Sequence, residues 1–214
     1  MTKNNLYIIG KGDHAKVIFS EVVRIKEFSF KGFINKISLK EKIYKLDKNL
    51  KYKNIGKITD IKKFISNNYF IVAVGKNKVR KKIVLSLEKK YKKIKWAKVI
   101  STKSNIDKTV IIGDGTMIIS GTTINIGSKI GRHSIINTNC SLDHDNLIKN
   151  YVNCSPGVVS AGNVTVKDEA FIGMGTSIKQ NIIINSNTII GAQSYVNKNC
   201  KKNSIYYGIP IKKK

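Results

Sequence analysis

From residue 106 to residue 196 the chain carries a hydrophobic position at every sixth residue. Ile106, Ile112, Ile118, Ile124, Ile130, Ile136, Leu142, Ile148, Cys154, Ser160, Val166, Ile172, Ile178, Ile184, Ile190 and Val196 share one phase, with no insertion. Only Cys154 and Ser160 are not aliphatic, and both are small. In a chain that is 41% hydrophobic, fifteen hydrophobic hits among those sixteen positions is roughly a one-in-ten-thousand accident. A strand alternates faces every two residues and an α-helix repeats every 3.6, so a strict six fits neither. It fits a β-solenoid with three flat faces, one hexad to a face and about 18 residues to a coil.

Two further tracks follow the same phase. Ser104, Thr116, Thr122, Ser128, Ser134, Cys140, Ala170, Thr176, Thr188 and Ser194 stand two residues before an aliphatic, small enough to share a narrow interior. Directly after the aliphatics come Asp107, Gly113, Asn125, Gly131, Asn137, Asp143, Gly173, Asn185, Gly191 and Asn197. Gly and Asn tolerate φ > 0, so these positions are expected to be the sharp corners.

The first hundred residues have another rhythm. Leu6 to Ile9 reads as a buried strand, followed by Gly10-Lys11-Gly12-Asp13-His14-Ala15. That is G-x-G-x-x-A on a strand-to-helix turn, where backbone amides approach a phosphate at a helix N-terminus. A helix is expected over 17–25, strands over 30–34 and 70–75, and a basic helix from about 77 to 92. A dinucleotide fold would end its second strand on an acid that holds a ribose. Asn35 stands there, and the segment is too short for both halves of such a fold. The expectation is an α/β, Rossmann-like domain over 1–100 that takes one nucleotide, followed by the solenoid over 101–214.

Composition narrows the classes. No apolar run reaches the length of a membrane span and the N-terminus lacks a signal peptide's apolar stretch, which predicts a soluble, cytoplasmic protein. Cys140, Cys154 and Cys200 form neither a C-x-x-C pair nor an even set, and all three fall on inward tracks, so neither a metal site nor a catalytic thiol is expected. The net charge of +27 suggests nucleic acid at first sight. Yet only Arg24, Arg80 and Arg132 among the 40 basic residues are arginine, and the lysines are scattered. Base readers rely on bidentate Arg and on interleaved aromatics, so no nucleic-acid partner is expected. The positive field still favours anionic small ligands.

Asp143-His144-Asp145 is the cluster with catalytic character. His144 lies two residues past an inward position, where its ring can project outward, and a flanking carboxylate can fix its tautomer and raise its basicity. His133 has no acid beside it and reads as a surface residue, and His14 sits on the glycine turn, where ligand binding is expected.

The run from Ile135 to Asp145 resembles the catalytic segment of the bacterial sugar O-/N-acetyltransferases of the hexapeptide-repeat superfamily. Gly10–Val17, Phe70–Lys82, Ser155–Gly175 and Gly208-Ile209-Pro210 match the same family in order. The resemblance implies a left-handed parallel β-helix, acetyl-CoA as cosubstrate, no metal, and a homotrimer with sites between chains. It implies that His144 removes the acceptor's proton, that Asp145 assists it and that Asn137 lines the same pocket. It implies coenzyme contacts at Asn153, Ala161, Gly162, Met174, Ala192 and Lys212, with the Gly162 amide directed at the thioester oxygen. It implies nucleotide-sugar contacts at Gly10, Gly12, Asp13, His14, Asn35 and Gly75. Asn35 replaces an acid common in the family, Asn153 a frequent second histidine, and Lys11 and Asp13 interrupt the usual small-residue turn. The activity implied is N-acetylation of a nucleotide-linked amino sugar for a surface glycan. O-acetylation of a sialic-acid-like sugar and a non-catalytic β-helix scaffold stand as the other readings.

Overall fold

Each position of the six-residue series is the second residue of a two-residue strand, and each such strand pairs in parallel with a strand one coil away, as Ile136 does with Cys154 and Cys154 with Ile172. The computed structural model describes residues 3–35, 43–47 and 50–214, which divide into two units, Met1–Val99 and Ile100–Lys214. In the second unit the coils stack as a left-handed β-helix with three sheets. The first face has eight strands, including Ile135–Ile136, Asn153–Cys154, Phe171–Ile172 and Ile189–Ile190. The second face has six, among them Ser141–Leu142, Val159–Ser160 and Tyr195–Val196, and the third has five, including Leu147–Ile148 and Thr165–Val166.

The interior is the aliphatic series itself. From Ile118 to Val196 every member is at most 4% exposed, and each buried Ile contributes roughly 1.5–3 kcal/mol of apolar transfer. The small track beside it is polar where it can be satisfied. Thr116, Thr122, Ser128, Ser134 and Thr176 each donate a hydroxyl proton to the carbonyl fifteen residues on, at 2.7, 3.0, 3.0, 2.8 and 3.1 Å. A buried hydroxyl left without a partner would cost about 1–3 kcal/mol, so this ladder lets polar groups sit in the core. Cys140, Cys154 and Cys200 are buried, and burial pushes the Cys140 and Cys200 thiols up to about 11 and Cys154 well above the usual thiol range. Tyr206, from the closing strand Ile205–Tyr207, and Ile211, just before the strand Lys212–Lys213, join the same core and cap its last coil.

The corners lie elsewhere than the sequence suggests. From Ile112 to Ile190 the left-handed residue is the third after each inward position, as at Asn139 (φ 56°), Asp145 (φ 55°) and Tyr151 (φ 57°). Gly113, Gly131, Gly173 and Gly191 have no positive φ, and their requirement is for space. A Cβ on Gly113 would meet the Arg132 nitrogen at 2.6 Å, because the next coil's backbone passes directly beneath it. His133 is likewise not a surface residue. It is fully buried and stacks on Tyr151 of the next coil, ring centroids 5.5 Å apart and planes 6° apart.

In the first unit, β1 (Asn4–Ile9), α1 (Asp13–Val22), β2 (Phe28–Asn35), β3 (Ile43–Asp47), β4 (Leu50–Lys57), β5 (Tyr69–Val72), α2 (Asn77–Lys90) and β6 (Lys95–Trp96) form a sheet of order β3-β4-β2-β1-β5-β6 with its helices. All neighbours are parallel except β3 and β4. α1 starts four residues and ends three residues earlier than the spacing predicts, α2 ends two earlier, and β3 and β4 were not expected. The sheet order reverses direction at β1, with β2 on one side and β5 on the other. That is a topological switch point, where open α/β sheets bind ligands beyond their strand ends. Among the described residues no helix is long and apolar enough to cross a membrane.

Candidate active site

The turn between Ser141–Leu142 and Leu147–Ile148, at the edge joining the second and third faces, carries Asp143, His144 and Asp145. His144 Nδ1 lies 2.9 Å from Asp145 Oδ2, and the two side chains are 48% and 57% exposed. An ionised carboxylate only accepts, so Nδ1 carries the proton and the lone pair is on Nε2. That nitrogen is against the backbone of the next coil, where a Cβ on Gly162 would collide with it. The Gly162 N–H makes no hydrogen bond among the described residues. A free base nitrogen and a free amide donor therefore meet at one corner.

Hydrogen bonding to Asp145 is the largest cause that raises the His144 pKa; desolvation opposes it, and the Asp143 and Asp145 charges add to the rise. Asp143 turns its carboxylate elsewhere, accepting from Asn125 Nδ2 at 3.0 Å and from the His144 amide at 2.8 Å, and these bonds lower its pKa. A base must be neutral to accept a proton, so activity should fall as pH drops through the raised His144 value. In Asp145→Asn the largest raising cause is lost. The acid limb of kcat/KM should then move to lower pH and the plateau rate should fall about tenfold or more. A pH–rate profile of both proteins measures this, and an unmoved limb would remove Asp145 from the assignment.

The remaining residues fall at separate places. Ala161 precedes Gly162 on the same edge, and its carbonyl accepts from Asn146 at 3.1 Å. Asn137, Met174 and Ala192 lie on the turns between the first and second faces, one face away from His144. Asn137 caps its own turn by accepting from the Thr138 amide at 2.8 Å, and Met174 is 55% exposed. Asn153 is on the first face, 7% exposed. Lys212 is exposed on the last strand. Within one chain, then, His144, Asp145, Ala161 and Gly162 converge, while Asn137, Met174 and Ala192 form a second group on another edge.

In the first unit Gly10 and Asn35 line a cavity of about 550 Å³ with Ile9, Ile34, Val74 and the α2 residues Lys78, Val79 and Lys82. Gly10 has φ 126°, and a Cβ there would meet the Ala73 carbonyl oxygen at 2.8 Å, so the turn requires glycine. Gly12 caps α1, and Asp13 is paired with Lys16 at 3.0 Å on the surface. His14 is driven down to about 4 by burial and then by the Arg80 charge, so its imidazole is neutral. Arg80 itself is buried and donates to the carbonyls of Val74 (2.8 Å) and Gly75 (3.1 Å) and to Asn77 Oδ1 (2.8 Å), fixing the loop that holds Gly75. Lys78 and Lys82 escaped the sequence reading, although their spacing of four places both on one face of α2.

Residues 5–87 match the family model of the PglD N-terminal domain. GDP-perosamine N-acetyltransferase of Escherichia coli O157:H7 is 33% identical over 127 residues, 58% of this chain and 55% of the relative. The chain thus spans about half the length of that curated relative. The solved structure of PerB from Caulobacter crescentus, in complex with CoA and GDP-perosamine, matches 99% of this chain and 97% of its own at 25% identity and a TM-score of 0.85. The acetyltransferase domain of PglB from Neisseria gonorrhoeae shares the fold over 99% of this chain and 100% of its own, at 23% identity and a TM-score of 0.86. Residues 5–87 thus resemble the PglD N-terminal domain, and the chain as a whole is similar in sequence and fold to these sugar acetyltransferases.

Proposed function

We propose that the chain transfers the acetyl group of acetyl-CoA to the amino group of a nucleotide-linked amino sugar in surface-glycan synthesis. The observation that carries this reading is the Asp145-bound imidazole of His144, its Nε2 against the backbone of Gly162. The acceptor amine attacks the thioester carbon as His144 Nε2 takes its proton, forming the C–N bond. The Gly162 N–H faces the oxygen on which negative charge develops. The C–S bond then breaks, and the departing thiolate receives the proton from the imidazolium. No acyl-enzyme is required, and the three thiols are buried and poorly ionised.

The reading assigns the N-terminal unit to the sugar nucleotide. Its cavity, lined by two lysines and Asn35 with an apolar floor, suits a nucleoside diphosphate, and the α1 N-terminus suits phosphate. Asn137, Asn153, Met174, Ala192 and Lys212 serve the same reaction when a second copy brings its own edge to the His144 corner. A homotrimer provides three such sites, and sedimentation at monomer mass under assay conditions would contradict it.

Incubation with acetyl-CoA and a panel of UDP-, dTDP- and GDP-linked 4-amino sugars, read by thiol release and by the product's mass gain of one acetyl group, tests the function. Acetylation of an amino sugar is expected. Acetylation of nonulosonic-acid hydroxyls alone would replace it with O-transfer, and no thiol release with any acceptor would leave a binding scaffold.

A further inference from the structure

The inner small track holds one amide. Its other members from Ser104 to Ser194 are Ser, Thr, Cys, Ala, Val or Ile, and only position 146 is Asn. Asn146 is 1% exposed and belongs to the turn that carries His144. A hydroxyl on this track has one proton, and at Thr116, Thr122, Ser128, Ser134 and Thr176 it goes to the carbonyl fifteen residues on, as from Ser128 to Asp143. Asn146 has two. Nδ2 makes the same ladder bond, to the Ala161 carbonyl at 3.1 Å, and donates as well to the Asp143 carbonyl at 2.6 Å, with the His144 carbonyl at 3.5 Å. The second bond closes the turn from its last residue back to its first. The first bond ties that turn to the peptide preceding Gly162. Asn146 therefore joins the segment bearing the imidazole to the segment bearing the amide opposite it.

This arrangement has a cost that the fold alone does not explain. Asn146 Oδ1 is buried with no hydrogen-bond partner, an unsatisfied acceptor of the kind that destabilises a core. A Ser or Thr would keep the ladder and leave no such atom.

We infer that Asn146 is a positioning residue for His144, clamping the corner so that Nε2 and the Gly162 N–H keep a fixed separation. The inference rests on His144 as the general base. Its test compares Asn146→Ser with wild type and with His144→Ala, by kcat, KM and pH–rate profile, with thermal melting as the check on folding. Asn146→Ser keeps the ladder proton and loses the turn bond. It is expected to melt no lower than wild type, to keep KM for acetyl-CoA within about twofold, and to lose about tenfold in kcat, since small misplacements of a reacting group are costly in rate. With the imidazole less firmly held to Asp145, its acid limb should move to lower pH; Asp145 and Asp143 are the charges that act on it.

A wild-type kcat and pH limb in Asn146→Ser, or a change in KM alone, would overturn the inference while His144 kept its role. Full activity in His144→Ala would instead remove the base and with it the purpose of the clamp. Should Ser not fold, Thr, which fills the track at 116, 122, 176 and 188, supplies the same single proton. Failure of both to fold would make Asn146 a requirement of the solenoid and overturn the assignment.

Discussion

His144→Ala is expected to lower kcat by about 10²–10⁴-fold, the range that general-base assistance contributes, with little change in melting temperature. The second half of that expectation follows from where the side chain lies. The ring is 48% exposed and outside the aliphatic interior, so its removal opens no cavity in the core. The Asp145 bond is exposed too, and exposed pairs contribute little to stability. Steady-state kinetics with saturating acetyl-CoA and the acceptor, beside a thermal melt, measure both halves. A mutant that turned over at the wild-type rate would show that the proton leaves by another route.

Gly162→Ala should be nearly as damaging, by a different cause. Gly162 has no positive φ, so an alanine fits the backbone without strain. The added methyl occupies the space of His144 Nε2, and the exposed ring, not the packed coil, is what can yield. The imidazole then swings off the corner and away from the amide donor. A displacement of about 1 Å at a reacting group costs on the order of 10²-fold in rate. The double mutant Gly162→Ala, His144→Ala should be little worse than His144→Ala alone, because both changes remove one function. Independent losses that multiplied would separate the two residues and undo the corner as a unit.

How much of this the sequence discloses depends on the range of each contact. The solenoid is legible because one inward residue per hexad is a local, repeated signal that no single substitution hides. The proposed catalytic turn is legible because Asp143, His144 and Asp145 are adjacent in sequence. The corner positions are misjudged because Gly113 and its equivalents look like turn residues, while their need for glycine comes from a backbone a coil away. His133 is misjudged for a similar reason, since Tyr151 is eighteen residues on and only coil geometry brings it beneath the ring. Asn146 resembles any polar turn residue until its place on the inward track is counted. Strands β3 and β4 pass unnoticed in a segment where lysines interrupt the apolar pattern. The separation of Asn137 from His144 is invisible to a linear motif, which runs through both edges of a face in seven residues.

The His144 corner is tested most directly by a crystal structure of the protein with CoA and the amino-sugar nucleotide proposed as its acceptor. The distance to read is from the acceptor nitrogen to His144 Nε2. A hydrogen bond of about 2.6–3.2 Å is expected, with the pantetheine sulfur beside Gly162. An acceptor nitrogen held at another edge of the solenoid, with the His144 ring facing only solvent, would contradict it.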